Sequence, residues 1–139
     1  MISNLDPDFE QRLNEVADRI TVALDQLIPP ASGPEAQLMR AMRHGALSKG
    51  KRLRPFITIE VGRMFGAQEK SLLRGAAAVE CMHAYSLIHD DLPCMDDDDY
   101  RRGQPTVHKA FDEATALLAG DALQALAFEI MVSPETHRD

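Results

Sequence analysis

Six aspartates fall within ten positions, Asp90, Asp91 and Asp96 to Asp99, at the end of an apolar helical run, and Arg101 and Arg102 follow directly. Such a cluster repels itself in any fold unless cations neutralise it. Hard divalent ions do this best, and Mg²⁺ in particular takes a few carboxylate oxygens, keeps some of its waters and fills the remaining positions with substrate phosphate. The two arginines then face the same phosphates, because a planar guanidinium fork matches phosphate oxygens at two points. The stretch from Glu80 to Gly103 therefore reads as a metal-bridged diphosphate site.

The bland alternative is a solvated acidic loop, the usual fate of a charge block. Two features weigh against it. The run is anchored to Ala84, Tyr85, Leu87 and Ile88, which belong in a core, and His83 lies seven residues before Asp90, on nearly the same face of a helix. A calcium-binding loop also fails. Twelve positions counted from Asp90 or Asp96 end on Arg101 or Val107, where a bidentate Glu is needed.

DDLPCMDDDDYRRG resembles the first aspartate-rich motif of the trans-prenyltransferases, the polyprenyl synthetase family. The flanking YSLIHDD and GQPTVHKAFDEATALLAGDAL are similar to the bacterial farnesyl diphosphate synthase branch, so the likeness runs from about Gly50 to about Leu126. Members of that family are about twice as long and carry a second aspartate-rich motif in their C-terminal half. No such motif occurs in these 139 residues, which are expected to be the N-terminal half of such a protein.

The resemblance implies an all-α chain, the N-terminal helices of the isoprenoid synthase helical bundle. It implies Mg²⁺ as cofactor, and condensation of an allylic diphosphate (dimethylallyl or geranyl) with isopentenyl diphosphate to give farnesyl diphosphate, in a cytoplasmic homodimer. Asp90 and Asp96 would be metal ligands, Asp91 would support the metal, and Arg101 would meet the leaving pyrophosphate. Gly50, Lys51, Arg54, His83 and Arg102 would surround isopentenyl diphosphate. Tyr85, roughly 7.5 Å back along the helix from Asp90, would limit product length together with Pro93-Cys94. A non-catalytic diphosphate-binding module or partner subunit is the alternative from another class. A metal-dependent phosphohydrolase is weaker, since no residue here identifies itself as the base that would activate water.

Without the resemblance these residues say less. GKRLRP, residues 50 to 55, is a basic turn in which Gly50 permits positive φ and Pro55 can begin a helix whose free amides add to an anion pocket. His83 alone reads as a core histidine and Tyr85 as a core aromatic with a satisfied hydroxyl.

The rest of the chain suits one domain, able to bury roughly two thirds of its unfolded surface. A net charge of -7 argues against general nucleic-acid binding. Cys81 and Cys94 lack the spacing of a zinc site or a disulfide framework, which fits a reducing cytoplasm. The acidic start is not a secretory signal, and no uninterrupted apolar run approaches the roughly 18 residues of a membrane span, so a soluble protein is expected.

Periodicity predicts five or six helices and almost no strand. The first is capped at Asp6-Pro7, follows Phe9, Leu13, Val16, Ile20, Leu24 and Leu27, and stops at Pro29-Pro30. A second runs from Pro34 to Gly50 and a third from Pro55 to Phe65, closed by Gly66. A central one, apolar nearly all round, spans about Glu69 to Leu92. Thr106 caps a fifth through Ala110 and Phe111 that continues from Ala114 to Met131, kinked at Gly120-Asp121 and ended by Ser133-Pro134.

Overall fold

The computed structural model describes residues 7–137, and the proposed cap Asp6 lies outside the described residues. Helix α1 spans Pro7–Leu27, and its Leu13, Val16, Ile20 and Leu24 form the buried stripe that their spacing dictates. Helix α2, Ala36–Ala46, is shorter than the sequence suggests at both ends. Pro34 sits in the turn before it, after Gly33 at φ 76°. At the other end Arg52 donates to the carbonyls of Ala46 and Ser48 at 3.0 and 2.8 Å, which satisfies the helix terminus well before Gly50.

Helix α3, Leu53–Met64, begins two residues ahead of Pro55, which occupies the first turn, where an amide would have no intrahelical partner anyway. It ends as the sequence predicts. Gly66 takes φ 71° and donates to Arg63 O at 3.0 Å, while Ala67 N reaches Gly62 O at 3.0 Å, the paired bonds of a Schellman motif. Only one face of α3 is covered, through Pro55, Phe56 and Ile59; Ile57, Val61, Met64 and Phe65 are exposed.

Helix α4, Glu69–Asp90, is central and packs on α1, α2, α3 and α6, where Ala76, Ala77, Ala78 and Ala84 allow close approach. Each fully buried Leu or Ile in this core, such as Ile20, Leu24, Ile59 and Leu123, contributes about 2 kcal/mol of burial. After α4 the chain forms a minimal hairpin absent from the sequence reading, β1 Tyr100–Arg101 and β2 Gln104–Pro105, with Tyr100 opposite Pro105 and Arg101 opposite Gln104. Two residues per strand are too few to write an alternating pattern.

The expected fifth helix is two: α5, Val107–Ala110, and α6, Glu113–Val132. Asp112 separates them, since its carboxylate caps α6 by accepting from Thr115 N at 2.7 Å. Thr106 precedes α5, but its hydroxyl donates to Asp98 O at 2.8 Å instead of capping. α6 is one unbroken helical span through Gly120-Asp121. Gly120 is there because the His89 ring lies where a β-carbon would be.

Asp121, Gln124 and Glu129 interrupt the apolar residues of α6, so no unbroken apolar run reaches the length of a membrane span. By length and composition alone α6 is nevertheless long and apolar enough to cross a bilayer. One face of it is packed, with Ala116, Ala119, Gly120, Leu123, Ala127 and Ile130 buried against the bundle, while Leu117, Leu118, Phe128, Met131 and Val132 on the other are exposed. The all-α fold class stands.

Candidate diphosphate and metal site

The aspartate loop folds back over the end of α4. Asp96 N donates to Asp90 O at 2.8 Å, Met95 N to Leu92 O at 2.8 Å, and Asp98 N to Asp91 O at 3.2 Å. These amides meet the negative end of the helix, where further carboxylates would otherwise be unfavourable. The fold-back brings the backbones of Asp90 and Asp96 together and leaves both side chains exposed, as are Asp97, Asp98 and Asp99. Asp97 turns the chain with φ 53°, a conformation that Asp tolerates better than most residues.

Asp91 is different from its neighbours, being 3% exposed. Arg101 grips it with Nε at 3.0 Å from both carboxylate oxygens and Nη2 at 2.6 Å from Oδ1. That hydrogen bonding raises the Arg101 pKa. Asp91 is thus engaged by a guanidinium rather than open to a metal.

Arg102 leaves in another direction. With φ 52° at Arg102 and φ 79° at Gly103, the hairpin closes through two left-handed residues, the requirement of a type I′ turn. The Arg102 guanidinium crosses Gly50 and donates from Nη1 to Lys49 O at 3.0 Å. Gly50 does not have the positive φ expected of it; Arg52 has it instead, at 49°. Gly50 is needed because a β-carbon there would collide with Nη1 of Arg102.

Lys51, Arg54, His83 and Arg102, four residues scattered in sequence, line one hollow with Arg52, Leu53 and Glu80. Arg52 and Glu80 neutralise each other across 2.5 Å, both nearly excluded from water, which leaves the charges of Lys51, Arg54 and Arg102 unbalanced by any other lining carboxylate. Burial lowers the Arg102 pKa, with the neighbouring Arg52 charge adding to the effect. His83 Nε2 lies 3.4 Å from Arg54 Nη1, and burial followed by the Arg54 charge holds its pKa below the usual value. An anion entering this hollow meets three cations and a neutral imidazole.

Tyr85 lies on the next face of α4, edge-on to His89 with ring centres 4.9 Å apart. His89 Nε2 is anchored 2.9 Å from Leu117 O on α6. With Arg54, Val79, Met82, His83 and Ser86, Tyr85 lines an open and mainly apolar depression. The sequence reading missed the Arg52–Glu80 pair, although one acid inside the apolar run of α4 was its signal: a buried carboxylate requires a cation.

Residues 35–138 match the family model described as polyprenyl synthetase. The chain belongs to the polyprenyl synthetase family. Among members of this family it is 54% identical over 124 residues to a farnesyl diphosphate synthase of Escherichia coli K12, covering 89% of this chain and 42% of that protein. It is 48% identical to geranylgeranyl pyrophosphate synthase 12 of Arabidopsis thaliana, over 89% of this chain and 34% of the relative. The crystal structure of an FPP/GFPP synthase from Zymomonas mobilis superposes with a TM-score of 0.91 at 48% identity, over 95% of this chain and 48% of that one. This polyprenyl synthetase chain therefore spans less than half the length of these relatives.

Proposed function

We propose that these 139 residues form one helical unit that supplies the N-terminal half of a trans-prenyltransferase site joining an allylic diphosphate to isopentenyl diphosphate. The observation that carries this reading is the hollow that gathers Lys51, Arg54, His83 and Arg102. The exposed oxygen-only donors of Asp90 and Asp96 fit Mg²⁺, which binds through a few carboxylates and keeps water and phosphate as its other ligands. Bound there, Mg²⁺ would neutralise the carboxylates and the negative charge that grows on a departing pyrophosphate.

The chain's own residues divide the remaining work. Lys51, Arg54 and Arg102 hold the diphosphate of isopentenyl diphosphate, with His83 as a neutral hydrogen-bonding partner. Arg101, oriented by Asp91, is the donor to the allylic diphosphate in this reading. In the reaction the allylic C–O bond breaks with its electron pair leaving on pyrophosphate, the isopentenyl double bond attacks the allylic carbon, and a proton is lost. The mainly apolar depression beside Tyr85 receives the growing prenyl tail. Tyr85, with Pro93-Cys94 in the motif, supports a C15 product, farnesyl diphosphate, and the 54% identity to a farnesyl diphosphate synthase agrees with that choice. A cytoplasmic homodimer completes the proposal.

The carboxylates of this chain approach from one side only, and the 139 residues alone are expected to bind diphosphate without turnover. The test uses a polypeptide in which this chain is joined to the C-terminal half of a relative, given geranyl and isopentenyl diphosphates with Mg²⁺. Release of pyrophosphate together with a C15 product is the expected result. Saturable binding of isopentenyl diphosphate with no pyrophosphate release would instead favour a non-catalytic diphosphate-binding subunit.

A further inference from the structure

We propose a second cation site, separate from the diphosphate hollow, in which Asp97, Asp99 and His108 hold a first-row transition cation of the Zn²⁺ or Co²⁺ type. Carboxylate oxygens of Asp97 and Asp99 and a ring nitrogen of His108 lie within 4.8 Å of one another. Donors on one ion with bonds of about 2.1 Å stand at most about 4.2 Å apart, so the exposed Asp97 and Asp99 side chains draw in when the ion binds. Both carboxylates are exposed, and exposed acids often gather without an ion, so the histidine carries the argument.

His108 is only 7% exposed, and its two nitrogens are not equivalent. The Thr106 hydroxyl has one proton, which it donates to Asp98 O at 2.8 Å. With that proton given to a carbonyl, the hydroxyl oxygen is placed to accept from Nδ1 of His108 at 3.2 Å, in the tautomer that carries the ring proton on Nδ1. Nε2 is then a bare lone pair, buried and without a partner among the described residues. Leaving such an acceptor unmatched costs about 1–3 kcal/mol. An imidazole with one nitrogen donating to oxygen and the other free is also the form in which histidine ligates metals.

A cation already stands at this place, since Lys109 Nζ lies 2.9 Å from Asp99 Oδ1. A metal ion entering the cluster displaces that ammonium. The mixed nitrogen and oxygen donor set selects Zn²⁺, Co²⁺ or Mn²⁺ over Mg²⁺, in contrast to the oxygen-only donors of Asp90 and Asp96. Occupation ties the aspartate loop to α5 and leaves the diphosphate hollow untouched, so the inference does not depend on prenyl transfer.

The experiment is a titration of the purified chain with Co²⁺ or Zn²⁺ in saturating Mg²⁺, which fills the oxygen sites first. Uptake is read by calorimetry and Co²⁺ absorption, and the histidine ring nitrogens by NMR. The expected result is one Co²⁺ equivalent, displaced by Zn²⁺, with the Nε2 resonance of His108 shifted on Zn²⁺ binding. Affinity falls about tenfold or more in Asp97→Asn/Asp99→Asn, rises in Lys109→Ala, and is unchanged in Asp90→Asn/Asp96→Asn. The substituted side chains are exposed, so the folded state survives and circular dichroism verifies it. Absence of saturable uptake, uptake that survives the Asp97/Asp99 variant, or binding that leaves the His108 ring resonances unmoved overturns the proposal.

Discussion

Arg52 and Glu80, twenty-eight residues apart, meet at 2.5 Å with their side chains 3% and 4% exposed. The same guanidinium binds the carbonyls that end α2, so one residue joins α2, the start of α3 and the middle of α4. Removing one member of such a pair leaves an uncompensated buried charge, at a cost of about 3 kcal/mol. Glu80→Gln is expected to lower the urea midpoint by about 2 M, for an m-value of about 1.5 kcal/mol/M. Equilibrium unfolding followed by circular dichroism measures it, and an unchanged midpoint would show that the carbonyl contacts alone hold Arg52.

Asp90→Ala or Asp96→Ala, in a polypeptide that completes the family's length, is expected to lower Mg²⁺-dependent prenyl transfer about a hundredfold or more. Loss of about 3 kcal/mol of transition-state charge stabilisation has that effect. Near-normal turnover of both variants at saturating Mg²⁺ would refute the ligand assignment.

Tyr85→Ala is expected to deepen the depression along α4 and lengthen the product from C15 to C20 or beyond. The side chain is half-buried against His89, so stability falls by less than for a fully buried aromatic, about 1 kcal/mol. Chromatography of the dephosphorylated products decides the matter. A distribution still ending at C15 would place the floor of the pocket elsewhere.

The lowered pKa of His83 gives a stability profile of definite sign. Burial and Arg54 disfavour the protonated form, so below the unfolded value of about 6.5 the unfolded chain takes up a proton that the folded chain resists. The contribution of neutral His83 is complete above that pH and is lost as pH falls toward the folded value. His83→Asn should flatten the dependence of stability on pH below about 6.5, and an identical slope in both proteins would assign the effect to other groups.

Burial, followed by the Glu80 charge, pushes the Cys81 thiol up to about 12, whereas Cys94 is exposed in the aspartate loop. Only the thiolate reacts with alkylating agents. Mass spectrometry after iodoacetamide at pH 8 should find one modified cysteine in the native chain, at Cys94, and two after unfolding in urea. Native modification of Cys81 would indicate that α4 opens at its centre.

Much of this architecture was legible because it is written locally. Pro29-Pro30 and Pro93 stop helices, and Gly66 closes α3 in the form its sequence predicts. The aspartate motif likewise marked the end of α4 and the loop beyond. What escaped depends on partners far away in the chain. Gly50 was singled out for a backbone conformation that it does not adopt; its role is to make room for a guanidinium fifty-two residues later. Arg101 was expected to face phosphate with Arg102, and its grip on Asp91 exists only once the hairpin has formed. The inward face of α6 was equally unreadable, since an apolar helix carries the same pattern whether lipid or protein covers it.

The hairpin that closes at Arg102-Gly103 acts as a divider. Two cations adjacent in the chain leave it on separate errands, Arg101 toward Asp91 and Arg102 toward the carbonyl of Lys49. Their separation depends on where the strand stops and the left-handed turn begins. Inserting or deleting a single residue between Asp99 and Thr106 would shift that boundary and misdirect both side chains without altering the composition of the loop. Among neighbouring sequences this segment should therefore vary by substitution and not by length.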